Sequence, residues 1–207
     1  MRFRSWITAL ATASGLALAL GVTSSQAATP NENTQLSTGL SGKDLSKLPL
    51  TDRRLTDHEK ANLAVVLRAY RTAEGSSLDV PAFVNTFARN GVLNDLVGGN
   101  TFTGEALGDV PNFMIGMFPD IHRELKKITV DGDVVAIEVA IQGTFTGTLS
   151  TPAGTLKGNG AKVDVPTADF WYLRNGKVEK FNCFLGFSAM YAQMGVTLDR
   201  ESAVGGH

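Results

Sequence analysis

The chain has little cysteine, little histidine and no excess of charge of either sign. Cys183 is the single cysteine among 207 residues, which excludes a disulfide within the chain. The three histidines, His58, His122 and His207, lie too far apart in sequence to give the usual spacing of metal ligands. The formal net charge is −1 without clusters of either sign, whereas nucleic-acid binding requires a basic surface. We therefore expect no metal, no other cofactor and no nucleic-acid partner.

The first 27 residues have the pattern of a secretory signal peptide. Arg2 and Arg4 precede an apolar run from Trp6 to Val22, and small residues up to Ala27 supply a cleavage site. An uncleaved anchor is the alternative, but the run contains Thr and Ser and is short for a membrane span. We predict cleavage after Ala27, export to the periplasm or the medium, and no membrane span thereafter. Loss of the two arginines takes the formal net charge from −1 to −3.

The rest of the chain divides into a leader, one domain and a tail. Residues 28–55 are rich in Thr, Ser, Asn, Gly and Pro and show no periodicity, which predicts a mobile leader or a loosely draped arm. Residues 56–200 form the predicted domain, and residues 201–207 a disordered tail.

Three helices are predicted at the start of the domain. Thr56 and Glu59 form a capping box for the first, and Asp79 caps a short second helix with Pro81 in its first turn. A third helix begins at about Thr103, and its methionine-rich stripe is typical of a core but can also line an adaptable cavity. The apolar stripes are Leu63, Val66, Leu67 and Tyr70; Val80, Phe83, Val84 and Phe87; and Phe113, Met114, Met117 and Phe118.

The second half of the domain has the pattern of an antiparallel sheet. Asp131-Gly132-Asp133 is a strong hairpin signal, and the strand after it alternates as far as Leu149. A strand of this length must curve, with Gly143 and Gly147 as bend sites, and Ser150–Gly160 would be a flap or rim if the sheet wraps a cavity. The sequence therefore predicts an α+β domain: a cone-shaped, curved antiparallel β-sheet wrapped around three N-terminal helices, with an apolar central cavity.

The C-terminal hairpin, residues 169–196, decides which side chains share the inner face of the sheet. A two-residue loop would pair Asp169 with Asn182, and a three-residue loop with Gly176 left-handed would pair it with Phe181. The hydrophobic pattern favours the second register. A carboxylate on this apolar face should protonate, find a partner or serve a function. The predicted face consists of Asp169, Trp171, Leu173, Phe181, Cys183, Leu185 and Phe187.

The same hairpin carries a resemblance to a known family. DFWYLRNGKVEKF…QMGV is similar to the C-terminal hairpin of the SnoaL-like polyketide cyclases and of the broader nuclear transport factor 2-like superfamily, to which steroid isomerases belong. The resemblance extends back through GTFTGTL (143–149), PDIH (119–122) and TGEAL (103–107), and so covers roughly residues 61–196. It implies the same cone-shaped fold.

Three polar residues are predicted to face the cavity: Tyr70, Asp95 and Asp169. Tyr70 could instead be an aromatic at the core edge and Asp95 only a turn former, whereas Asp169 is a candidate for a shifted pKa because its face is apolar. Resemblance to the steroid isomerases implies that Asp95 is a base removing a proton next to a carbonyl. It further implies that Tyr70, after a one-residue shift, and a protonated Asp169 stabilise the enolate.

The sequence departs from the SnoaL-like cyclases at their own acid/base positions. Their last-strand carboxylate falls on Cys183, their hairpin histidine on Asp169, and the histidine of their GTHTG pattern on Phe145. Cys183 is then either a small buried hydrophobe or a thiol facing the pocket. The predicted lining of the apolar pocket is Phe87, Phe113, Phe145, Trp171, Phe181 and Cys183.

Two functions remain open at this point. One is an exported enzyme doing cofactor-free acid/base chemistry, of isomerase, cyclase or dehydratase type, on a hydrophobic carbonyl compound. The other is a non-catalytic domain of the same fold that binds a hydrophobic ligand or acts as a dimerisation module. A homodimer is expected in either case, because aromatics lie among threonines on the outer sheet face. The residues of that face are Gln142, Thr144, Thr146, Thr148, Tyr172 and Phe184.

Overall fold

The computed structural model describes residues 45–51, 54–151 and 154–196. The predicted signal peptide, most of the leader and the predicted tail lie outside these residues. The helices are α1 (Asp57–Thr72), α2 (Val80–Val84), α3 (Asp109–Met117) and α4 (Phe187–Gln193), with 3-10 turns at Gly75–Ser77 and Gly104–Gly108. The strands are β1 (Phe87–Asp95), β2 (Asn100–Thr103), β3 (His122–Asp131), β4 (Val134–Phe145), β5 (Thr148–Thr151), β6 (Gly154–Lys157), β7 (Ala161–Arg174) and β8 (Lys177–Leu185).

The α+β class predicted from the sequence is confirmed. One sheet has the strand order β2-β1-β8-β7-β4-β3, and β5 and β6 form a separate hairpin where a flap was expected. All neighbours in the large sheet are antiparallel except β1 and β8, which run parallel. Strands β2 to β7 lie between these two in the chain, which is ample length for a parallel connection.

The N-terminal helices begin where their caps predict. The Thr56 hydroxyl accepts a hydrogen bond from the Glu59 amide at 3.2 Å, and the Glu59 carboxylate accepts one from the Thr56 amide at 2.9 Å. Asp79 Oδ1 accepts from the Ala82 amide at 3.0 Å. The predicted third helix is split into a 3-10 turn and α3. Phe87 was expected at the end of the second helix but begins β1, because the chain joins the sheet once the Thr86 carbonyl accepts from the Val178 amide.

The interior consists of two apolar clusters. The first surrounds α1 and includes Leu63, Tyr70 and Trp171. The second contains the methionines of α3 and α4 together with aromatic and aliphatic residues of the sheet. Cys183 packs against both clusters and so marks their boundary.

The described end of the leader runs along the sheet edge. The Ile128 amide donates to the Pro49 carbonyl at 2.9 Å, and the Thr51 amide donates to the Ile128 carbonyl at 3.1 Å. These bonds cover part of β3, which is otherwise an exposed edge strand of the kind that invites pairing with other chains. Leu45, Leu48 and Leu50 pack on the first cluster.

The predicted hairpin register is wrong, although the predicted face is right. The turn has two residues, Asn175 with φ 52° and Gly176 with φ 71°, and Asp169 pairs with Cys183 rather than with Phe181. A bulge at Glu179 shifts the register by one residue beyond the turn. This single extra residue reverses the alternation of β8, and thereby brings Phe181 and Cys183 to the same face as Asp169.

Pro166 lies within β7 without interrupting it. Its carbonyl accepts from the Gly186 amide at 3.2 Å, just beyond the end of β8. In a strand, the N–H and the C=O of one residue point toward the same neighbouring strand. An N–H at position 166 would therefore point past the end of β8, so the proline costs the sheet no ladder hydrogen bond.

Candidate functional site

A buried chain of hydrogen bonds joins β7 to α1. Trp171 Nε1 donates to the Tyr70 hydroxyl at 3.2 Å, and that hydroxyl donates to Asp169 Oδ2 at 2.7 Å. Asp169 is only 3 % exposed, and its Oδ1 has no hydrogen-bond partner among the described residues. The structure therefore holds Oδ2 firmly, while Oδ1 makes no hydrogen bond to the described residues and the Cys183 thiol lies close enough to the carboxyl to influence its pKa.

Burial dominates the ionisation of Asp169. It raises the pKa of Asp169 to about 6, because the charged form loses its hydration. The hydrogen bond from Tyr70, the weaker influence of the Cys183 thiol and the positive charge of Arg123 act in the opposite direction. A group with such a pKa is mostly ionised at pH 7, yet exchanges its proton readily near neutrality.

The neighbours of Asp169 remain neutral. Burial, followed by the negative charge of Asp169, raises the pKa of the Tyr70 phenol well above its usual value. The same two causes raise the pKa of the Cys183 thiol. Tyr70 is consequently a hydrogen-bond donor, and Cys183 is a protonated thiol rather than a nucleophilic thiolate.

Asp95, Cys183 and Asp169 form one row across three strands. Asp95 on β1 is the partner of Cys183 on β8, and Cys183 is the partner of Asp169 on β7. Partners in adjacent strands point to the same face, so both residues lie on the inner face with their Cα atoms about two strand spacings, or 9–10 Å, apart. The half-buried Asp95 also fixes a turn, since it accepts from the Gly98 amide at 2.8 Å and from Asn100 at 3.0 Å.

Three of the predicted pocket residues gather around this network. Trp171 stacks on Phe181 with ring centroids 3.6 Å apart, meets Tyr70 edge-on at 5.4 Å, and lies 6.3 Å from Phe87. Phe145 is buried in the second cluster against Phe118. The structure does not bring the remaining aromatic, Phe113, to this group: its side chain is 46 % exposed on α3.

Comparison with known protein families identifies the family of this chain. The model of the SnoaL-like domain matches residues 66–181, which is more than half of the sequence. The chain belongs to the SnoaL-like domain family.

Solved structures share the fold of this SnoaL-like domain. A candidate SnoaL-like polyketide cyclase from Jannaschia Sp. CCS1 is 18 % identical with a TM-score of 0.60, the match covering 70 % of this chain and 99 % of that one. A hypothetical protein with a ketosteroid isomerase-like fold from Catenulispora acidiphila DSM 44928, in complex with trimethylamine, is 22 % identical with a TM-score of 0.53. The match covers 64 % of this chain and 93 % of that one. SalBIII, an epoxide hydrolase/cyclase-like enzyme with a role in pyran ring formation in polyether salinomycin, is 24 % identical with a TM-score of 0.51. The match covers 63 % of this chain and 95 % of that one. No curated protein matches significantly.

The SnoaL-like domain contains one site residue that sequence reasoning missed. Arg123, on β3, is 9 % exposed at its side chain, donates to the Ala73 carbonyl at 2.7 Å and lies 3.5 Å from Glu74 Oε1. It is the cation whose charge reaches Tyr70, Asp169 and Cys183. Its sequence position, directly after the PDIH motif and among other charged residues, gave no signal that it would be buried.

Other kinds of site receive no support from the described residues. Across residues 45–51, 54–151 and 154–196, no three His, Cys, Asp or Glu side chains converge to hold a metal ion. None of the helices in these ranges combines the length and the apolar character needed to cross a bilayer.

Proposed function

We propose that this SnoaL-like domain is a cofactor-free acid/base enzyme of isomerase or cyclase type, acting on a hydrophobic carbonyl compound. The observation that carries the proposal is the buried Asp169 carboxyl, with Oδ2 held by Tyr70 and Oδ1 without a partner. A base needs one oxygen free for the substrate proton, and a fixed second oxygen orients it.

In this mechanism Asp169 Oδ1 takes a proton from the carbon next to a carbonyl. The electron pair of the C–H bond moves into the C=C bond of an enolate. In an isomerisation, Asp169 returns the proton to another carbon. In a ring closure, the enolate carbon bonds to a second carbonyl carbon of the same molecule, and the alkoxide formed takes the proton from Asp169.

The geometry favours the ionised, proton-accepting role for Asp169 over the neutral donor role that resemblance to the steroid isomerases implied. Tyr70 already donates to Asp169, and a pKa of about 6 leaves the carboxyl mostly charged at neutral pH. Asp95 lies in the same row and remains the proposed second carboxylate, at the β1–β2 turn.

An apolar substrate suits the surroundings of Asp169. Phe87, Trp171 and Phe181 lie in the same cluster as Tyr70, the hydrogen-bond partner of the carboxyl, and Cys183 packs against both this cluster and the methionine-containing second one. Methionine side chains repack at little cost, so this cluster can yield to a ligand. Similarity to SalBIII, an epoxide hydrolase/cyclase-like enzyme of pyran ring formation, supports ring closure as a reaction for this fold.

The test does not require the natural substrate. A panel of apolar ketones is incubated with the protein in deuterated buffer, and exchange of their α-protons is followed by NMR. Wild type should accelerate the exchange, and Asp169→Asn should lose about 100-fold or more of this acceleration, since a general base is worth that much. Asp164→Asn changes an exposed carboxyl on the same strand and is the matched control. Equal exchange by wild type and Asp169→Asn would refute the proposal.

A non-catalytic hydrophobic-ligand binder is the second candidate, and one observation favours it. The Tyr70 hydroxyl already uses its donor on Asp169 and accepts from Trp171, so it has no donor left to stabilise an enolate oxygen. In that case an apolar ligand should bind wild type and Asp169→Asn with equal affinity, and neither protein should accelerate exchange.

We further propose a homodimer formed through the outer sheet face. Phe170 and Phe184 are 37 % and 41 % exposed and meet edge-on with centroids 5.9 Å apart. An adjacent aromatic, Tyr172, is half-buried beneath Lys180. Phe170 was not among the residues expected from sequence, yet it extends the same aromatic patch. A two-fold partner would cover both rings at once.

Export is proposed from the sequence alone. The positively charged start, the apolar run from Trp6 and the small residues before Ala28 support it.

A further inference from the structure

Two irregularities of the sheet meet at Glu179. On one side, Val178 and Lys180 pair with Leu173 and Tyr172 of β7, so Glu179 has no partner residue there. On the other side, Val178 and Lys180 pair with Phe87 and Val92 of β1, which leaves residues 88–91 looped out between them. Bulges occur preferentially next to functional sites, where they redirect side chains.

The coincident bulges open a groove, which we call the bulge groove. Its volume is about 780 Å³, within the range typical of small-molecule sites. Gly91 allows the close approach that forms it, because a Cβ there would lie 2.6 Å from the Val178 carbonyl oxygen. The lining residues are Ala88, Arg89, Asn90, Val92, Asp133, Val134, Tyr172, Leu173, Arg174, Glu179 and Lys180.

Three cations and two carboxylates line the bulge groove, and both carboxylates are already engaged. Glu179 Oε1 lies 3.2 Å from Arg174 Nε, and Asp133 Oδ1 lies 2.7 Å from His58 Nε2. Arg89 and Lys180 have no carboxylate partner among the described residues, and Lys180 Nζ rests 4.1 Å from the centroid of the Tyr172 ring. The groove therefore has one more cation than carboxylate, although the net charge of the whole chain is −1.

We infer that the bulge groove binds a small hydrophilic anion bearing carboxylate or phosphate groups, with Arg89 and Lys180 as the residues that hold it. Arginine offers a planar fork that matches either oxyanion, and lysine adds a mobile point charge. The residues that line the groove include neither Asp169 nor its partners Tyr70 and Cys183, so the groove is separate from the site proposed for the hydrophobic compound. The inference is therefore independent of the proposed function.

Calorimetric titration at low ionic strength tests this with two probes, inorganic pyrophosphate and citrate, and with glucose as a neutral comparison. At least one anion should bind saturably and glucose should not. Arg89→Gln and Lys180→Gln should each weaken binding about tenfold, as expected for loss of one charge-assisted contact. Lys157→Gln, which removes an exposed lysine on β6, is the matched control and should bind like wild type.

Binding of pyrophosphate alone assigns a phosphate ligand, and binding of citrate alone assigns a carboxylate ligand. Amide chemical-shift changes should be confined to residues 88–92, 133–134 and 172–180. Arg89 and Lys180 are both exposed, so the two variants should unfold at the same temperature as wild type. The inference is overturned if neither anion binds saturably, if the two variants bind like wild type, or if Lys157→Gln weakens binding equally.

Discussion

The Tyr70 hydroxyl donates to Asp169 Oδ2 at 2.7 Å, and these two residues are separated by 99 positions in the chain. The bond joins α1 to β7 inside the first cluster and fixes one oxygen of a buried carboxyl. Because the other oxygen of this carboxyl, Oδ1, makes no hydrogen bond within the described part of the chain, both the stability and the proposed chemistry of the domain depend on the protonation of Asp169.

The substitution Asp169→Asn should stabilise the domain at neutral pH. Folding raises the pKa of Asp169 from 3.8 to about 6, so the folded state holds the proton more tightly than the unfolded state. Wild type therefore loses stability as pH rises from about 4 to about 6, by about 3 kcal/mol in total, and the loss is constant above that range. Asn has no such loss, although its amide needs a partner. The variant should be at least as stable as wild type at pH 7, with the advantage shrinking towards pH 4.

Denaturant unfolding at several pH values measures this difference, with Asp164→Asn as the control for the amide substitution itself. A variant clearly less stable relative to wild type at pH 7 than at pH 4 would mean that folding lowers the pKa of Asp169 instead of raising it. The proposed state of the site would then be wrong.

Tyr70→Phe should destabilise the domain more at pH 8 than at pH 4. The variant leaves Asp169 Oδ2 without its donor and Trp171 Nε1 without its acceptor, at a cost of about 1–3 kcal/mol. An ionised carboxylate loses more than a neutral one, and the pKa of Asp169 should therefore rise further. Tyr172→Phe keeps the ring beneath Lys180 and is the matched control. An equal effect at both pH values would contradict the charge-assisted bond.

Gly147→Ala should be strongly destabilising, and the nearby Gly116→Ala should not. A Cβ on Gly147 would lie 1.9 Å from the Gly116 carbonyl oxygen, whereas a Cβ on Gly116 meets no atom within 4 Å. Overpacking against backbone typically costs about 1–3 kcal/mol, while Gly to Ala inside a helix gains about 1 kcal/mol. Thermal unfolding of the two variants compares them directly, and similar stabilities would show that the β4–β5 junction is looser than the structure describes.

The outer face should mediate a dimer that depends on its exposed aromatics. Light scattering at tens of micromolar should give twice the chain mass for wild type, whereas Phe170→Ser with Phe184→Ser should give a monomer with an unchanged circular dichroism spectrum. Replacing the exposed Leu78, which lies outside the sheet, by Ser serves as the control. A monomeric wild type would exclude this interface.

The mature protein should begin at Ala28. N-terminal sequencing of exported material checks the cleavage site, and a retained Met1 would remove the proposed localisation.

Local patterns determined the elements of this protein. The capping box at Thr56, the Asp79 cap and the turn at 131–133 were all predicted from sequence, because caps and tight turns depend on residues only a few positions apart. The alternation of β7 and β8 likewise placed Asp169, Trp171, Phe181 and Cys183 on one apolar face. The family resemblance supplied the cone in which these elements are arranged.

Tertiary structure alone decided how the elements meet. The bulge at Glu179, the parallel pairing of β1 with β8 and the burial of Arg123 each depend on contacts between residues far apart in the chain. No local pattern specifies such contacts, because a bulge or a buried ion pair is stabilised by what packs against it. For the same reason the sequence could mark Asp169 as unusual, but only the folded chain placed Tyr70 within hydrogen-bond distance of it and left its other oxygen unengaged.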